Sequence, residues 1–220
     1  MNVPNFLTVL RVVFAIVVFA CIAIGHFDCA LIFFVLAALT DFVDGWWARK
    51  FKQITVFGRI MDPFADKFLI CGVFICLVAV PELTRPGDLP IWLTLQPWMV
   101  VVIIGRELLI TSLRAVVEQS GGDFSAKWIG KWKMVFQCVA IIACFVYLSA
   151  IQSPDSPFVQ LFFFLFPPVN GPYVPISLFV GLYLIWLLFL WATVIITIYS
   201  GVSYCVNAVK MLRKGGESAS

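Results

Sequence analysis

Long apolar runs dominate this chain, and they restrict it to folds that a lipid bilayer can surround. Hydrophobic residues make up 62% of the 220 residues and charged residues only 12%, which is far from the composition of soluble domains. About 20 apolar residues suffice for one helix to cross a bilayer. We therefore expect an all-α integral membrane protein, a bundle of about six transmembrane helices. The apolar runs place these helices near residues 6–25, 30–47, 63–80, 91–117, 132–148 and 176–206.

The positions of the basic residues predict how these helices are oriented. Of the 15 lysines and arginines, all but Arg85 fall near the N-terminus, the loops after the second and fourth helices, or the C-terminus. Such residues favour the cytoplasmic side of a membrane, so both termini are predicted to be cytoplasmic. We expect one membrane domain over residues 1–210 and a disordered cytoplasmic tail over 211–220. The short apolar segment 154–174 is predicted to lie at the outer interface.

Four carboxylates interrupt the second and third apolar runs. Asp41 and Asp44 lie near the end of one run, and Asp62 and Asp66 lie at the start of the next. Residues three or four apart share a helix face, and a short polar loop over residues 50–58 makes the two helices antiparallel neighbours. Pro63 is predicted to occupy a first helical turn. Four acids in one place repel one another unless cations lie among them.

The residues around these acids favour divalent cations as the missing positive charge. The nearby basic residues, Arg49 and Lys67, flank the acid pairs instead of separating them. A ligand set of carboxylates, with no histidine or cysteine close by, favours magnesium, manganese or calcium over zinc. Gly45 and Ala48 leave little side chain on the same helix, so a bulky ligand could lie against its backbone. A pyrophosphate attached to a flat base would suit this surface.

The segment from Asp41 to Asp66 resembles the signature of the CDP-alcohol phosphotransferase family. It reads D-x-x-D-G-x-x-A-R, then eight residues, then G-x-x-x-D-x-x-x-D, and so many fixed positions make a chance match improbable. Residues 3–11, 105–114 and 125–133 resemble the phosphatidylglycerophosphate synthase branch of that family. The resemblance implies a homodimeric enzyme of the inner membrane, and the basic residues place its active site on the cytoplasmic side. Its substrates would be CDP-diacylglycerol and sn-glycerol 3-phosphate.

The resemblance also implies a role for each group of residues in the site. Two divalent ions, Mg²⁺ or Mn²⁺, would be held by Asp41, Asp44, Asp62 and Asp66, and Asp66 would also be the catalytic base. The nucleotide would contact Asn5, Gly45, Ala48, Arg49 and Gly58. The phosphate of the acceptor would contact Arg106, Arg114 and Lys131, with Lys127 and Lys133 ranked lower.

The residues by themselves leave several alternatives open. Asn5 and Thr8 could cap the first helix while Arg11 extends to the lipid headgroups. The arginines and lysines of the fourth and fifth helices could serve only as topology signals or as contacts with anionic lipid, and Arg49 could pair with an aspartate. Serine, inositol phosphate or phosphatidylglycerol could be the acceptor instead.

Other classes of protein fit the sequence less well. Carboxylate pairs within the membrane also occur in ion-coupled transporters, but those usually place the charges near the bilayer midplane. The basic residues adjoin the membrane, so no nucleic-acid partner is expected. The seven cysteines lack the spacing of a metal or redox motif, and His26 is expected at the end of the first helix that is far from the acids. We assign no chemistry to either.

Overall fold

The computed structural model describes five stretches of backbone and two single residues. The backbone is described over residues 3–51, 56–84, 90–119, 128–153, 157, 160 and 176–217. Side chains are described over residues 5–41, 58, 61–84, 90–117, 132–153, 157, 160 and 179–208. Apart from residues 157 and 160, the segment predicted at the outer interface lies outside these ranges.

The described residues form seven α-helices and one 3₁₀ turn, and they contain no strand. The α-helices are α1 (Val3–Ala23), α2 (Phe27–Phe51), α3 (Val56–Val78), α4 (Pro81–Thr84), α5 (Pro97–Gln119), α6 (Trp128–Gln152) and α7 (Ile176–Glu217). The 3₁₀ turn, Ile91–Leu93, precedes α5. The all-α prediction is confirmed for this part of the chain, and α7 continues beyond residue 210, where the tail was predicted to begin.

Three of the described helices contain stretches long and apolar enough to cross a membrane. These stretches are Asn5–Ala23, Trp132–Gln152 and Phe179–Ala208. Helices α2, α3 and α5 have 25, 23 and 23 residues, and they carry ionisable residues within their length. The described part of the chain is therefore all-helical with three candidate membrane spans, as expected of a membrane protein.

The long helices pack around one apolar core. Helix α1 packs against α2 and α3, α6 packs against α7 and α2, and α5 packs against α7 and α3. Phe34 of α2 meets Phe145 of α6 edge to face, with ring centroids 6.0 Å apart. Trp186 of α7 belongs to the same buried cluster. This packing brings α2, α3, α5, α6 and α7 around a shared interior.

The surface of this bundle is apolar while parts of its interior are polar. Large apolar side chains such as Ile16 on α1, Val101 on α5 and Leu188 on α7 are exposed. Arg11 and Lys133 are buried instead. Soluble monomers seldom expose large contiguous apolar patches, whereas lipid solvates them, so this distribution suits a membrane protein whose polar chemistry lies inside.

A glycine turn and a hydrogen bond between helices lie at the end of the bundle that carries Asp28. The chain turns from α1 to α2 through Gly25, whose φ of 79° is readily adopted by glycine. Asp28 accepts a hydrogen bond from Ser149 of α6. Asp41 lies about 20 Å further along α2. The Asp28 end is therefore the end of the bundle opposite to Asp41.

Two helices begin at residues other than those that hydropathy predicts. Helix α3 begins at Val56, so Gly58 lies in its first turn instead of a loop, and Pro63 lies inside the helix instead of in its first turn. Helix α5 begins at Pro97 and not near residue 91. Hydropathy indicates where a helix can leave the lipid, whereas backbone hydrogen bonds can continue a helix such as α3 into water. Before α5, part of the apolar run forms the separate 3₁₀ turn Ile91–Leu93 instead of the first turns of the helix.

At Gly72, α3 packs tightly against the ring of Phe19 on α1. A Cβ atom at this position would lie 2.7 Å from Phe19 Cε1 and closer still to Phe19 Cζ. We expect Gly72→Ala to displace the ring of Phe19 and to lower the free energy of unfolding by about 1–3 kcal/mol. Thermal unfolding in detergent would measure the loss.

Gly105→Ala is the matched control, because a Cβ atom at Gly105 of α5 would have no neighbour within 4 Å. This variant should unfold at the wild-type temperature or slightly above it, since alanine favours helix over glycine. Equal midpoints for both variants would contradict the tight contact between Gly72 and Phe19.

Candidate active site

The polar face of α1 contacts carboxylates from two other helices. Thr8 Oγ1 donates a hydrogen bond of 2.5 Å to Asp62 Oδ1 of α3. Arg11 Nη1 lies 2.7 Å from Asp41 Oδ1 of α2. Thr8 and Arg11 share a helix face because they are three residues apart. One face of α1 therefore links the two helices that carry the acid pairs.

Arg11 supplies positive charge among the acids, which the motif spacing alone did not predict. Only 1% of its surface is exposed, so its guanidinium group does not extend to the lipid headgroups. The available signal was its position, three residues after Thr8 and six after Asn5 in an otherwise apolar run. Asn5 is half-buried on α1. The interpretation of Arg11 as a snorkelling residue is wrong.

Asp66 lines two separate cavities. The first, which we call the apolar cavity, has a volume of about 350 Å³ and is lined mainly by apolar side chains of α2, α3 and α6, with Arg11, Asp41 and Asp66 among them. The second, which we call the polar cavity, has a volume of about 430 Å³ and is lined by residues of α3, α5, α6 and α7, again with Asp66. A carboxylate that faces both cavities can act on groups bound in either one.

The predicted metal ligands are only partly described. Among the described side chains, no three His, Cys, Asp or Glu residues are grouped so that they could hold a metal ion. Asp44 belongs to α2, but its side chain lies outside the described residues, as do the side chains of Ala48 and Arg49 and the surroundings of Gly45. Asp41 and Asp66 line the same cavity. Their oxygen atoms are the donors that Mg²⁺ and Mn²⁺ prefer, so the chemistry of this donor set fits such an ion.

The polar cavity carries an excess of basic side chains. Of its six ionisable side chains other than cysteine and tyrosine, four are basic and two are acidic: Lys67, Arg106, Arg114, Lys133, Asp66 and Glu107. Arg106 and Arg114 are two turns apart on α5 and so lie on one face. Both predicted arginines therefore line the same cavity as Asp66, whereas the side chain of Lys131 lies outside the described residues.

Glu107 joins two of these cations. Its Oε1 atom lies 3.1 Å from Arg106 Nη1 and also accepts a hydrogen bond from Lys133 Nζ. The Arg106 guanidinium carbon lies 5.6 Å from the centroid of the Tyr204 ring of α7, within the range of a cation–π contact. Lys133, which the sequence ranked below Lys131, is only 5% exposed. The ion pairs fix Arg106 and Lys133 in the wall of the polar cavity.

Three buried donors of the polar cavity have no hydrogen-bond partner among the described residues. They are Arg106 Nε, Arg114 Nε and Gln137 Nε2, and all three residues line the cavity. Buried donors normally have partners. The two unpaired guanidinium donors, in a cavity with an excess of positive charge, favour an anionic ligand that carries several acceptor atoms, whereas the neutral amide of Gln137 can bond to an uncharged group as well. Gln137 was not predicted, although it lies one turn after Lys133 on α6.

The chain belongs to the CDP-alcohol phosphatidyltransferase family, whose model matches residues 1–204. The matched region includes all the described residues that line the two cavities, and it confirms the resemblance carried by the segment from Asp41 to Asp66.

Curated relatives point to one branch of this family. The chain is 33% identical over 176 residues to the CDP-diacylglycerol--glycerol-3-phosphate 3-phosphatidyltransferase of Bacillus subtilis, a match that covers 73% of the chain and 84% of the relative. It is 37% identical over 146 residues to the protein of that name from Escherichia coli K12, covering 64% of the chain and 74% of the relative. The corresponding protein of Haemophilus influenzae is 34% identical over 146 residues, covering 64% of the chain and 73% of the relative.

Proposed function

We propose that this protein transfers a phosphatidyl group from CDP-diacylglycerol to sn-glycerol 3-phosphate, giving phosphatidylglycerophosphate and CMP. The observation that carries the proposal is that Asp66 lines both the apolar and the polar cavity. A lipid donor suits the first cavity and an anionic alcohol suits the second. The relatives that share the family signature are named for this reaction.

The apolar cavity has the properties expected of a site for the lipid donor. Ala37, Leu69 and Val139 are among the residues that offer a wall for the diacylglycerol part, and Arg11 and Asp41 line the same cavity. We assign the cytidine and the pyrophosphate to the neighbouring polar surface of α1, α2 and α3. The residues proposed to contact them are Asn5, Gly45, Ala48, Arg49 and Gly58.

The polar cavity has the properties expected of a site for the acceptor. A phosphate dianion accepts several hydrogen bonds, and arginine presents donors in a geometry that matches it. We assign the acceptor phosphate to Arg106 and Arg114, and we retain Lys131 and add Lys133. A zwitterion such as serine would leave this excess of positive charge without a counterion.

The transfer step then follows from the position of Asp66. The oxygen of the primary hydroxyl of glycerol 3-phosphate attacks the phosphorus that carries diacylglycerol, and its proton passes to the Asp66 carboxylate. The new P–O bond forms as the P–O bond to CMP breaks, and CMP leaves with that electron pair. Asp41, Asp44, Asp62 and Asp66 would hold two divalent cations, whose charge neutralises the pyrophosphate and the departing CMP.

The membrane arrangement is a further part of the proposal. Apolar side chains such as Leu36 on α2, Ile75 on α3 and Leu108 on α5 are exposed. They support a lipid-facing position for these three helices, which gives six spans together with the candidates in α1, α6 and α7. Six spans place both termini on one side, and the distribution of basic residues assigns that side to the cytoplasm. We propose an inner-membrane location, surrounding membrane lipids and a homodimer, all of which the family resemblance implies.

Release of CMP by the purified protein tests the reaction. We expect CMP from CDP-diacylglycerol and sn-glycerol 3-phosphate in the presence of Mg²⁺ or Mn²⁺, and at least about tenfold less with serine, inositol phosphate or phosphatidylglycerol, because the polar cavity selects a small anion. Release with a different alcohol alone would retain the family chemistry and reject the acceptor. Absence of release with every acceptor, from folded protein, would favour the transporter hypothesis.

Substitution of Arg114 tests the assignment of the acceptor phosphate to the polar cavity. Arg114→Gln should raise the KM for glycerol 3-phosphate about tenfold or more, because a charge-assisted hydrogen bond to phosphate contributes about 1.5–3 kcal/mol. The KM for CDP-diacylglycerol should change little, and Arg114→Lys should recover part of the loss. A larger effect on the KM of the lipid than on that of the acceptor would contradict the assignment.

A further inference from the structure

Gln137 is a buried polar residue of the polar cavity that the proposed transfer step leaves without a role. Its side chain is only 2% exposed, and it lines the polar cavity from α6. Its Nε2 atom has no hydrogen-bond partner within the described part of the chain. Burying an amide without a hydrogen-bond partner costs free energy. A ligand that forms a hydrogen bond with the Gln137 amide would remove this cost.

The chemistry of the amide differs from that of its neighbours. Arg106, Arg114 and Lys133 are cations that can only donate hydrogen bonds, which suits a phosphate. A glutamine amide is neutral and can both donate and accept. A hydroxyl group also does both, so Gln137 suits an alcohol group better than it suits an anion.

The acceptor has one group left that the proposed mechanism does not engage. The cations bind the phosphate of sn-glycerol 3-phosphate, and Asp66 takes the proton of the attacking primary hydroxyl. The secondary hydroxyl at C2 lies between these two ends. Lys133 and Gln137 lie one turn apart on one face of α6, so a short molecule whose phosphate is bound near Lys133 can also reach Gln137.

We propose that Gln137 hydrogen-bonds the C2 hydroxyl of the acceptor and thereby selects a glycerol phosphate over phosphorylated alcohols that lack this group. The inference rests on the proposed function and adds a specificity-determining residue to it. A site built to hydrogen-bond a hydroxyl rejects an analogue without it, because the buried polar group of the protein is then left unpaired.

Two acceptors and one substitution test this role. 3-Hydroxypropyl phosphate keeps the phosphate and the primary hydroxyl but lacks the C2 hydroxyl. For the wild type, we expect kcat/KM with sn-glycerol 3-phosphate to exceed that with 3-hydroxypropyl phosphate by about 10- to 100-fold. Gln137→Leu should lower the value for glycerol 3-phosphate by a similar factor and change the value for the analogue by less than about threefold.

Gln152→Leu is the matched control, since it makes the same change at an exposed glutamine near the other end of α6. It should keep the wild-type preference. Gln137→Met, which keeps the length of the side chain, replaces Gln137→Leu if thermal unfolding shows that the leucine variant does not fold.

The outcomes separate this proposal from the proposed function. A wild type that releases CMP with glycerol 3-phosphate but uses both acceptors within threefold of each other would overturn the role of Gln137 alone. Equal losses with both acceptors in the Gln137 variants would also overturn it, because they would place the amide on the donor or in the packing of the site. A wild type inactive with glycerol 3-phosphate would reject the proposed function, and the role of Gln137 with it.

Discussion

Asp66→Asn is expected to lower CMP release by about a thousandfold or more in folded protein. Asp66 is the carboxylate that lines both cavities, and asparagine keeps its size while it removes the basic oxygen. Loss of a positioned general base costs about 10²- to 10⁴-fold, and the variant also loses a proposed metal ligand. The measurement is kcat with saturating CDP-diacylglycerol and glycerol 3-phosphate.

The stability of this variant separates chemistry from misfolding. Asp66 shares a cavity with Asp41, and two nearby carboxylates in an apolar setting repel each other. The unfolding temperature of Asp66→Asn should therefore be no lower than that of the wild type. Residues needed for activity often lower the stability of the fold.

Asp28→Asn is the matched control for Asp66→Asn. Asp28 lies at the opposite end of the bundle, where it accepts a hydrogen bond from Ser149, so its loss should leave kcat within about twofold of the wild type while removing at most about 1 kcal/mol of stability. Should folded Asp66→Asn retain a tenth of the activity, Asp66 would not be the base.

Removal of divalent cations should abolish activity without unfolding the protein. We expect exhaustive chelation with EDTA to lower CMP release at least about a hundredfold, because the metal supplies several kcal/mol of charge stabilisation in the transition state. Mg²⁺ or Mn²⁺ should restore activity, since carboxylate ligands favour hard ions.

The fold should survive chelation because two of the acids already have partners within the protein. Arg11 pairs with Asp41, and Thr8 donates a hydrogen bond to Asp62. Added Mg²⁺ should still raise the unfolding temperature by mass action if it binds the folded state. Asp62→Asn should require more Mg²⁺ for half-maximal activity than the wild type. Full activity after exhaustive chelation would contradict the metal proposal.

The local part of the site could be predicted from spacing along one helix. Asp62 and Asp66 share a face because they are four residues apart, and the same argument places Arg106 and Arg114 together. Both arginines do line one cavity with Asp66. The sequence did not predict Gln137 as a site residue, because one polar residue in an apolar helix gives no periodic signal. Its significance depends on what faces it from α3 and α5.

The sequence by itself determined the all-α membrane class, the family, and which ionisable residues share a helix face, because these follow from composition and from spacing within single helices. Only the tertiary structure decided that Arg11 is buried against Asp41, that Glu107 joins Arg106 to Lys133, and that Asp66 lies between two cavities. The physical reason is that spacing fixes where a side chain projects from its own helix. Which faces of different helices meet depends on how the helices pack together.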